Sequence, residues 1–294
     1  CSKEREAERA QQTHCDDGST HEEEGNSVSC PRRRRFVNGM QRLRDDGAVP
    51  GHLEKDCIRL RNEGLESFRL DYSCEKSIQT AVDETFKRTN GTLDALYNNG
   101  AYAIPGLVQD IPREAYRAIF EVNLFGYFDL INKIMPFMHN QGYGRIINCS
   151  SILGFTAIEG RGAYNATKFA MEGLTDTLRL ELRNSSIKII LIEPGPITAS
   201  IRINSQPHFE KWINWKDSSN YIFYEKKLIP RLYSTKNTLD FGELPAAAVT
   251  QKIIHALESK NPSPRYYVTV PTFIAGVCNR LFSTRILDWI KSKI

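Results

Sequence analysis

Nowhere among the 294 residues is there an apolar run of about eighteen, the length a membrane-crossing helix needs. No charged-then-apolar leader opens the chain either, so the expected location is cytoplasmic. Cysteine is sparse and unpatterned. Cys1, Cys15, Cys30, Cys57, Cys74, Cys149 and Cys278 form no Cys-x-x-Cys pair and no Cys/His cluster at metal-ligand spacing. That excludes a disulfide scaffold and a zinc module and points to reduced thiols. The six histidines show neither triad nor metal spacing, so no metal site is expected. A dominant charge of one sign is missing too: 39 basic residues stand against 35 acidic, and a net charge of +4 says almost nothing about partners. With 40% hydrophobic and 25% charged residues the chain is neither collagenous nor wholly disordered. Its length suffices for one large α/β domain or two small ones.

Isoleucine is absent before Ile58, and the composition breaks near residue 54. Nineteen of the first 53 residues are charged, against 55 of the remaining 241. The basic residues are eight Arg and one Lys before the break and fifteen of each after it. Glu22-Glu23-Glu24 and Arg32 to Arg35 flank a stretch with little apolar periodicity, the pattern of a solvated, poorly ordered segment. The Arg run can be read as a nucleic-acid or nuclear-targeting patch, or as a disordered basic run. No aromatics beyond Phe36 interleave it, acidic runs precede it and no nucleic-acid module follows, so no nucleic-acid partner is expected.

Beyond residue 54, short β-branched runs alternate with longer amphipathic segments. Ser67 to Asp71 reads as a strand, Ser77 to Arg88 as a helix with Ile78, Val82 and Phe86 on one face, and Leu93 to Tyr97 as the next strand. Pro112 to Met138 is a long helix with a break around Asn123 to Gly126. Arg145 to Cys149 is a strand, Ala163 to Asn184 a helix, and Ile187 to Ile192 an apolar strand buried on both faces. This alternation predicts a parallel sheet with helices on both sides. In such sheets ligands sit beyond the C-terminal strand ends.

Ser150 and Ser151 follow one of these strands, and Tyr164 stands thirteen residues beyond Ser151 in Tyr164-Asn165-Ala166-Thr167-Lys168. Tyr164 and Lys168, four apart on a helix, share one face. A phenol titrates near pH 10 and is a poor acid or base at neutrality unless a cation favours its phenolate. Lys168 is spaced to supply that cation, and Ser151 to hold a substrate oxygen while Tyr164 moves its proton.

These residues resemble those of the short-chain dehydrogenases/reductases, and the resemblance covers roughly residues 54 to 294. Asn98-Asn99-Gly100-Ala101 is similar to the family's turn beside the cofactor, and Asn123 to its helix asparagine, which helps hold a water in the proton relay through Lys168. Ser151, Tyr164 and Lys168 match the catalytic serine and the Tyr-x-x-x-Lys pair. Pro194-Gly195-Pro196-Ile197-Thr198 matches the segment contacting the nicotinamide half of the cofactor, and Asp71 the aspartate that meets the adenine. The resemblance thus implies a Rossmann-like, doubly wound, single-domain α/β fold. It implies Ser151, Tyr164, Lys168 and Asn123 as catalytic residues, and NADP, or NAD, held by Asp71, Asn98, Gly100, Tyr164, Lys168, Pro194, Gly195, Ile197 and Thr198. It also implies a homodimer or homotetramer. The segment Arg265 to Thr272, followed by an apolar helical stretch, is similar to the bacterial NADP-dependent aldehyde-reductase and retinol-dehydrogenase-like branch, whose substrates are lipophilic carbonyls.

One element of that pattern is missing. The glycine-rich turn that lets a helix N-terminus approach the pyrophosphate should begin near residue 26, where the sequence is Asn26-Ser27-Val28-Ser29-Cys30-Pro31-Arg32-Arg33. The basic residue that selects NADP is missing before Glu54 as well, yet the segment has about the right length. The first βα unit is therefore expected to be degraded or missing, and residues 1–53 to be an atypical, disordered or out-of-frame segment. A silent binding or scaffold protein is the alternative to an enzyme. Residues 199–241 lie where the family places its substrate loop. Phe209, Trp212, Trp215, Tyr221, Phe223, Tyr224 and Tyr233 there suit a lipophilic pocket, or a packed lid or dimer contact. The amphipathic stretch 271–294 suits docking on the domain or another subunit, and at most peripheral membrane contact.

Overall fold

The computed structural model describes residues 36–39 (backbone only), 57–58, 60–62, 66–234 and 239–292. All lie in the compact unit Arg35–Ile294. The atypical segment, apart from residues 36–39, and the position expected for the glycine-rich turn fall outside the described residues.

Five parallel strands line up in sequence order: β1 (Phe36–Gly39), β2 (Ala95–Asn98), β3 (Gly144–Cys149), β4 (Ile187–Glu193) and β5 (Arg265–Tyr267). Of the first βα unit, expected degraded or missing, the described residues contain the strand alone, with Phe36 opposite Ala95 and Gly39 opposite Asn98. Strand side chains alternate between faces. Leu96, Ile146 and Ile189 enter one apolar cluster, and Tyr97, Ile147 and Ile190 enter the other. Covering on both faces is why β4 reads as a nearly unbroken apolar run.

On the first face, α1 (Glu75–Arg88) packs beside α3 (Gly126–Gln141), and Phe86 stacks on Phe137 with ring centroids 3.7 Å apart. Helix α4 (Gly162–Glu181) packs there too, burying Ala163 and Met171. On the second face, α6 (Ala247–Glu258) contributes Ala256. The expected break at Asn123 to Gly126 is real: α2 (Arg113–Phe120) passes through a π-helical turn, Glu121–Phe125, into α3. Gly126 is needed because a Cβ there would sit 2.2 Å from the Tyr72 carbonyl oxygen. The wider turn turns the Asn123 side chain inward, away from solvent.

One expectation needs correction. Ser67 to Asp71 is not a strand: the segment has no ladder partner among the described residues. Its polar groups are spent locally. Ser67 Oγ donates to the Cys57 carbonyl at 2.8 Å, and Asp71 Oδ1 accepts from the Ser73 N–H at 3.0 Å, turning the chain into α1. Within 199–241, where a lipophilic pocket and a packed lid were both open, Phe209 on α5 (Gln206–Trp212) and Tyr224 are core residues. Tyr224 donates to Asp110 Oδ2 at 2.6 Å.

The stretch at 271–294 forms α7 (Val270–Leu281) and α8 (Thr284–Lys291). Helix α7 docks through Thr272 and Gly276, the latter against the Tyr267 ring, whereas α8 buries none of its residues. Among the described residues no helix is long and apolar enough to cross a membrane.

Candidate active site

Register brings the strand ends to one edge, with Asn98 opposite Asn148, Cys149 opposite Ile192 and Glu193 opposite Tyr267. The residues just beyond, Asn99-Gly100, Ser150-Ser151 and Pro194-Gly195, therefore share the C-terminal rim of the sheet, where ligands of such folds bind. The β3 and β4 ends are stapled. The Ser150 N–H donates to the Ile192 carbonyl at 2.8 Å and the Ile152 N–H to the Pro194 carbonyl at 2.7 Å. Ser151 is extended and caps the short turn Ile152–Gly154, its Oγ accepting from the Leu153 N–H at 3.1 Å.

Helix α4 presents Tyr164 and Lys168 to this rim one turn apart. Lys168 is 1% exposed, and its Nζ donates to the Cys149 carbonyl at 2.7 Å. It lies 5.6 Å from the centroid of the Tyr164 ring and 5.8 Å from that of Tyr127. Burial pushes the Lys168 ammonium below its usual range, against the opposing pull of Cys149 and Glu172. Burial also pushes the Tyr164 phenol well above 10, and the nearby Cys149 adds to this, while hydrogen bonding to Ser151 works the other way. At neutral pH Tyr164 is therefore a protonated phenol with a lysine behind it.

Asn123 joins the same group through the backbone. Its Nδ2 donates to the Tyr102 carbonyl at 2.9 Å and to Thr167 Oγ1 at 3.3 Å, and Thr167 Oγ1 donates to the Tyr164 carbonyl at 2.8 Å. Asn98 is fully buried and spent inside the protein, accepting from the Tyr72 hydroxyl at 3.2 Å and donating to Asn148 Oδ1 at 3.0 Å. The Gly100 carbonyl accepts from the Tyr127 hydroxyl at 2.7 Å. Asp71 stands at the entry to α1, its carboxylate engaged by Ser73. Gly195 cannot carry a side chain, since a Cβ would lie 2.1 Å from Thr269 Oγ1. Ile197 pairs with Leu244 in a single parallel bridge, and Thr198 Oγ1 donates to Glu243 Oε1 at 2.8 Å. Ser151, Tyr164, Lys168 and Asn123 thus form one connected group, and Asn98 serves as scaffold beneath it.

A second cluster, which sequence reasoning misses, lies behind Lys168. The Arg265 guanidinium on β5 binds Glu172, Glu193 Oε1 at 2.5 Å and Asp176 Oδ2 at 2.6 Å, and Asp176 also pairs with Arg179. Glu172 Oε1 and Glu193 Oε2 are buried and have no hydrogen-bond partner. A proton on the Glu193 carboxyl, facing Glu172, would serve both orphans. In keeping with that, burial and the neighbouring Glu172 push the Glu193 carboxyl up to about 8. A folded-state value above the ordinary 4.5 gives stability that is full below pH 4.5 and is lost as pH rises to about 8. Glu193→Gln is expected to remove this slope, on the order of 3–5 kcal/mol across the window. Denaturant midpoints of wild type and variant at pH 5 and pH 8.5 check it, and parallel slopes would contradict it. The signals were present in sequence: Glu172 lies four residues after Lys168, and Glu193 is a charge ending an apolar strand.

The sequence profile of the short chain dehydrogenase family matches residues 50–209. The chain is similar to the uncharacterized oxidoreductase YbbO of Escherichia coli strain K12, 33% identical over 235 residues, which cover 80% of each chain. Its fold is similar to that of a short chain dehydrogenase/reductase from Burkholderia phymatum solved in complex with NAD. That match has a TM-score of 0.61 and 24% identity, covering 78% of this chain and 80% of the other. A short chain dehydrogenase from Burkholderia cenocepacia solved in complex with NADP matches with a TM-score of 0.54 and 19% identity, covering 74% and 76%.

Proposed function

Since the chain belongs to the short-chain dehydrogenase family of oxidoreductases, we propose that it passes a hydride between NAD(P)(H) and a carbonyl or alcohol carbon, with Tyr164 as the general acid/base. The observation carrying this reading is the buried, protonated Tyr164 phenol, with Lys168 Nζ 5.6 Å from its ring and Ser151 as hydrogen-bonding neighbour. In the reducing direction Ser151 holds the carbonyl oxygen and Tyr164 gives it a proton. The Lys168 ammonium lowers the cost of the phenolate left behind. Asn123 fixes the position of α4 through Thr167.

Solved relatives carry NAD and NADP, and NADP is the preferred cofactor in this reading; when bound, it supplies the hydride. The rim fits the nicotinamide half, which Tyr164, Lys168, Pro194, Ile197 and Thr198 would hold. The pyrophosphate half fits less well, because Met40-Gln41-Arg42-Leu43, which follow β1, contain no glycine. The substrate in this reading is a lipophilic aldehyde or ketone, retinoid- or steroid-like, admitted beside Trp212, Trp215 and Phe223, which pack partly buried against the core. The missing glycine turn favours a second reading, a catalytically silent binding module. Retention of Ser151, Tyr164, Lys168 and Asn123 in one connected group argues against it.

The test is fluorescence titration of the full chain with NADPH and NADH, followed by assay against medium- and long-chain aldehydes and ketones. Micromolar binding with turnover supports the oxidoreductase. Absence of both overturns it in favour of the silent module.

A further inference from the structure

Among the described residues, three buried side-chain polar atoms lack partners, Ser150 Oγ, Glu172 Oε1 and Glu193 Oε2, and all three belong to segments that carry the rim. Ser150 precedes Ser151, Glu172 is one turn beyond Lys168, and Glu193 precedes Pro194-Gly195. One guanidinium, from Arg265, reaches both Glu172 and Glu193, so the middle of α4, the C-terminal end of β4 and the start of β5 are tied at a single point. Ser150 Oγ and Glu172 Oε1 also crowd Gly154, where a Cβ would come within 2.5 and 2.9 Å of them. This leaves the turn following Ser151 no room beside the cluster. Lys168, by contrast, has a backbone carbonyl as its hydrogen-bond partner and, among the described residues, no carboxylate in an ion pair with it.

We propose that Glu172 is a positioning residue of the reaction, acting through Lys168: clamped by Arg265, it supplies the negative charge behind the Lys168 ammonium and holds α4 in register with the strand ends. This rests on the oxidoreductase reading above. The titratable or charged groups around Glu172 are Lys168, Asp176 and Arg179 on its own helix, Glu193 on β4, Arg265 and Tyr267 on β5, Arg280 on α7 and Cys149 on β3. Arg265 is shared with Asp176 and with the Glu193 carboxyl, so Glu172 is not fully neutralised by it. A purely structural ion cluster would affect stability, and it would leave the titration of Lys168 unchanged.

The experiment is NMR of the full chain labelled with 13Cε-lysine, following Lys168 over pH 6 to 11, its signal assigned by its loss in Lys168→Met. Glu172→Gln is expected to lower the Lys168 midpoint by about one pH unit, a tenfold change in its proton affinity. It is also expected to lower kcat about tenfold while KM stays within about twofold. Glu172→Asp, which keeps the charge, should return the midpoint most of the way. An unmoved Lys168 midpoint in Glu172→Gln, with only thermal stability reduced, overturns the proposal. If Glu172→Gln does not fold, Glu172→Asp decides: withdrawing the charge by one methylene must lower the midpoint by about 0.3 pH unit, short of the full loss, and a midpoint identical to wild type refutes the role. If wild type shows no turnover with any carbonyl, the oxidoreductase reading fails, whereas the Lys168 shift still decides whether Glu172 acts on it.

Discussion

Tyr164→Phe is expected to reduce kcat/KM for carbonyl reduction by about 10³-fold, within the range that loss of a general acid produces, while the protein remains folded. The ring is 8% exposed and packed in the main core cluster, and Phe keeps all of that contact. The change removes one hydroxyl whose burial already holds it neutral. Removing a buried neutral hydroxyl costs about 1 kcal/mol or less when its partner, here Ser151, has other groups to bond, and Ser151 Oγ keeps the Leu153 N–H. Steady-state kinetics with saturating cofactor, beside near-UV circular dichroism and a thermal midpoint, separate the two effects. A variant retaining more than about a tenth of wild-type turnover would show that another group donates the proton, and the assignment of Tyr164 would fall. A variant that loses cofactor affinity in the same proportion would instead make Tyr164 a binding residue.

Most of the sheet and its rim could be read from local pattern. The runs at Arg145 to Cys149 and Ile187 to Ile192 needed only to be apolar and bounded, and β3 and β4 begin within one residue of those limits. The break in the long helix announced itself through Asn123 and Gly126, a buried polar residue and a residue without a side chain inside an apolar stretch. Tyr164 and Lys168 were legible because their relation is local, one helical turn. Ser67 to Asp71 misled because alternation reports a half-buried extended chain and not its ladder partner, and its polar groups bond locally instead. The Arg265 cluster escaped for the opposite reason. One helical turn joins 172 to 176, but nothing local joins either to 193 or 265, and the four meet only when α4, β4 and β5 are packed. The lid aromatics were read by type alone, which cannot tell a ring lining a pocket from one filling the core, as Phe209 and Tyr224 do.

Lys168→Met should separate function from stability more sharply than any other substitution here. Loss of the ammonium takes away the charge that offsets the Tyr164 phenolate, and turnover is expected to fall by about 10² to 10⁴-fold. Stability is expected to stay within about 1 kcal/mol of wild type, because two effects of similar size oppose each other. The Cys149 carbonyl loses its 2.7 Å donor, a cost of about 1–3 kcal/mol for a buried acceptor left unpaired. Against that, a charge almost wholly removed from water is replaced by an apolar chain of similar length, and relief of desolvation is worth a comparable amount. Glu172 keeps its ion pair with Arg265 and gives up only its longer-range attraction to the ammonium, about 1 kcal/mol. The balance has a pH signature. Burial holds Lys168 below its ordinary 10.5, so the folded state gives up this proton before the unfolded chain does. The cost of burying the ammonium is then in full force below the folded-state value and fades as pH rises towards 10.5. The stability of the Lys168→Met protein relative to wild type should therefore be most favourable near pH 7 and decline by pH 10. Paired denaturant titrations at the two values, with kinetics at pH 7, check both halves. A Met variant that keeps its turnover would mean that the phenol needs no cation. One that loses several kcal/mol at pH 7 would mean that the hydrogen bond to Cys149 outweighs the buried charge.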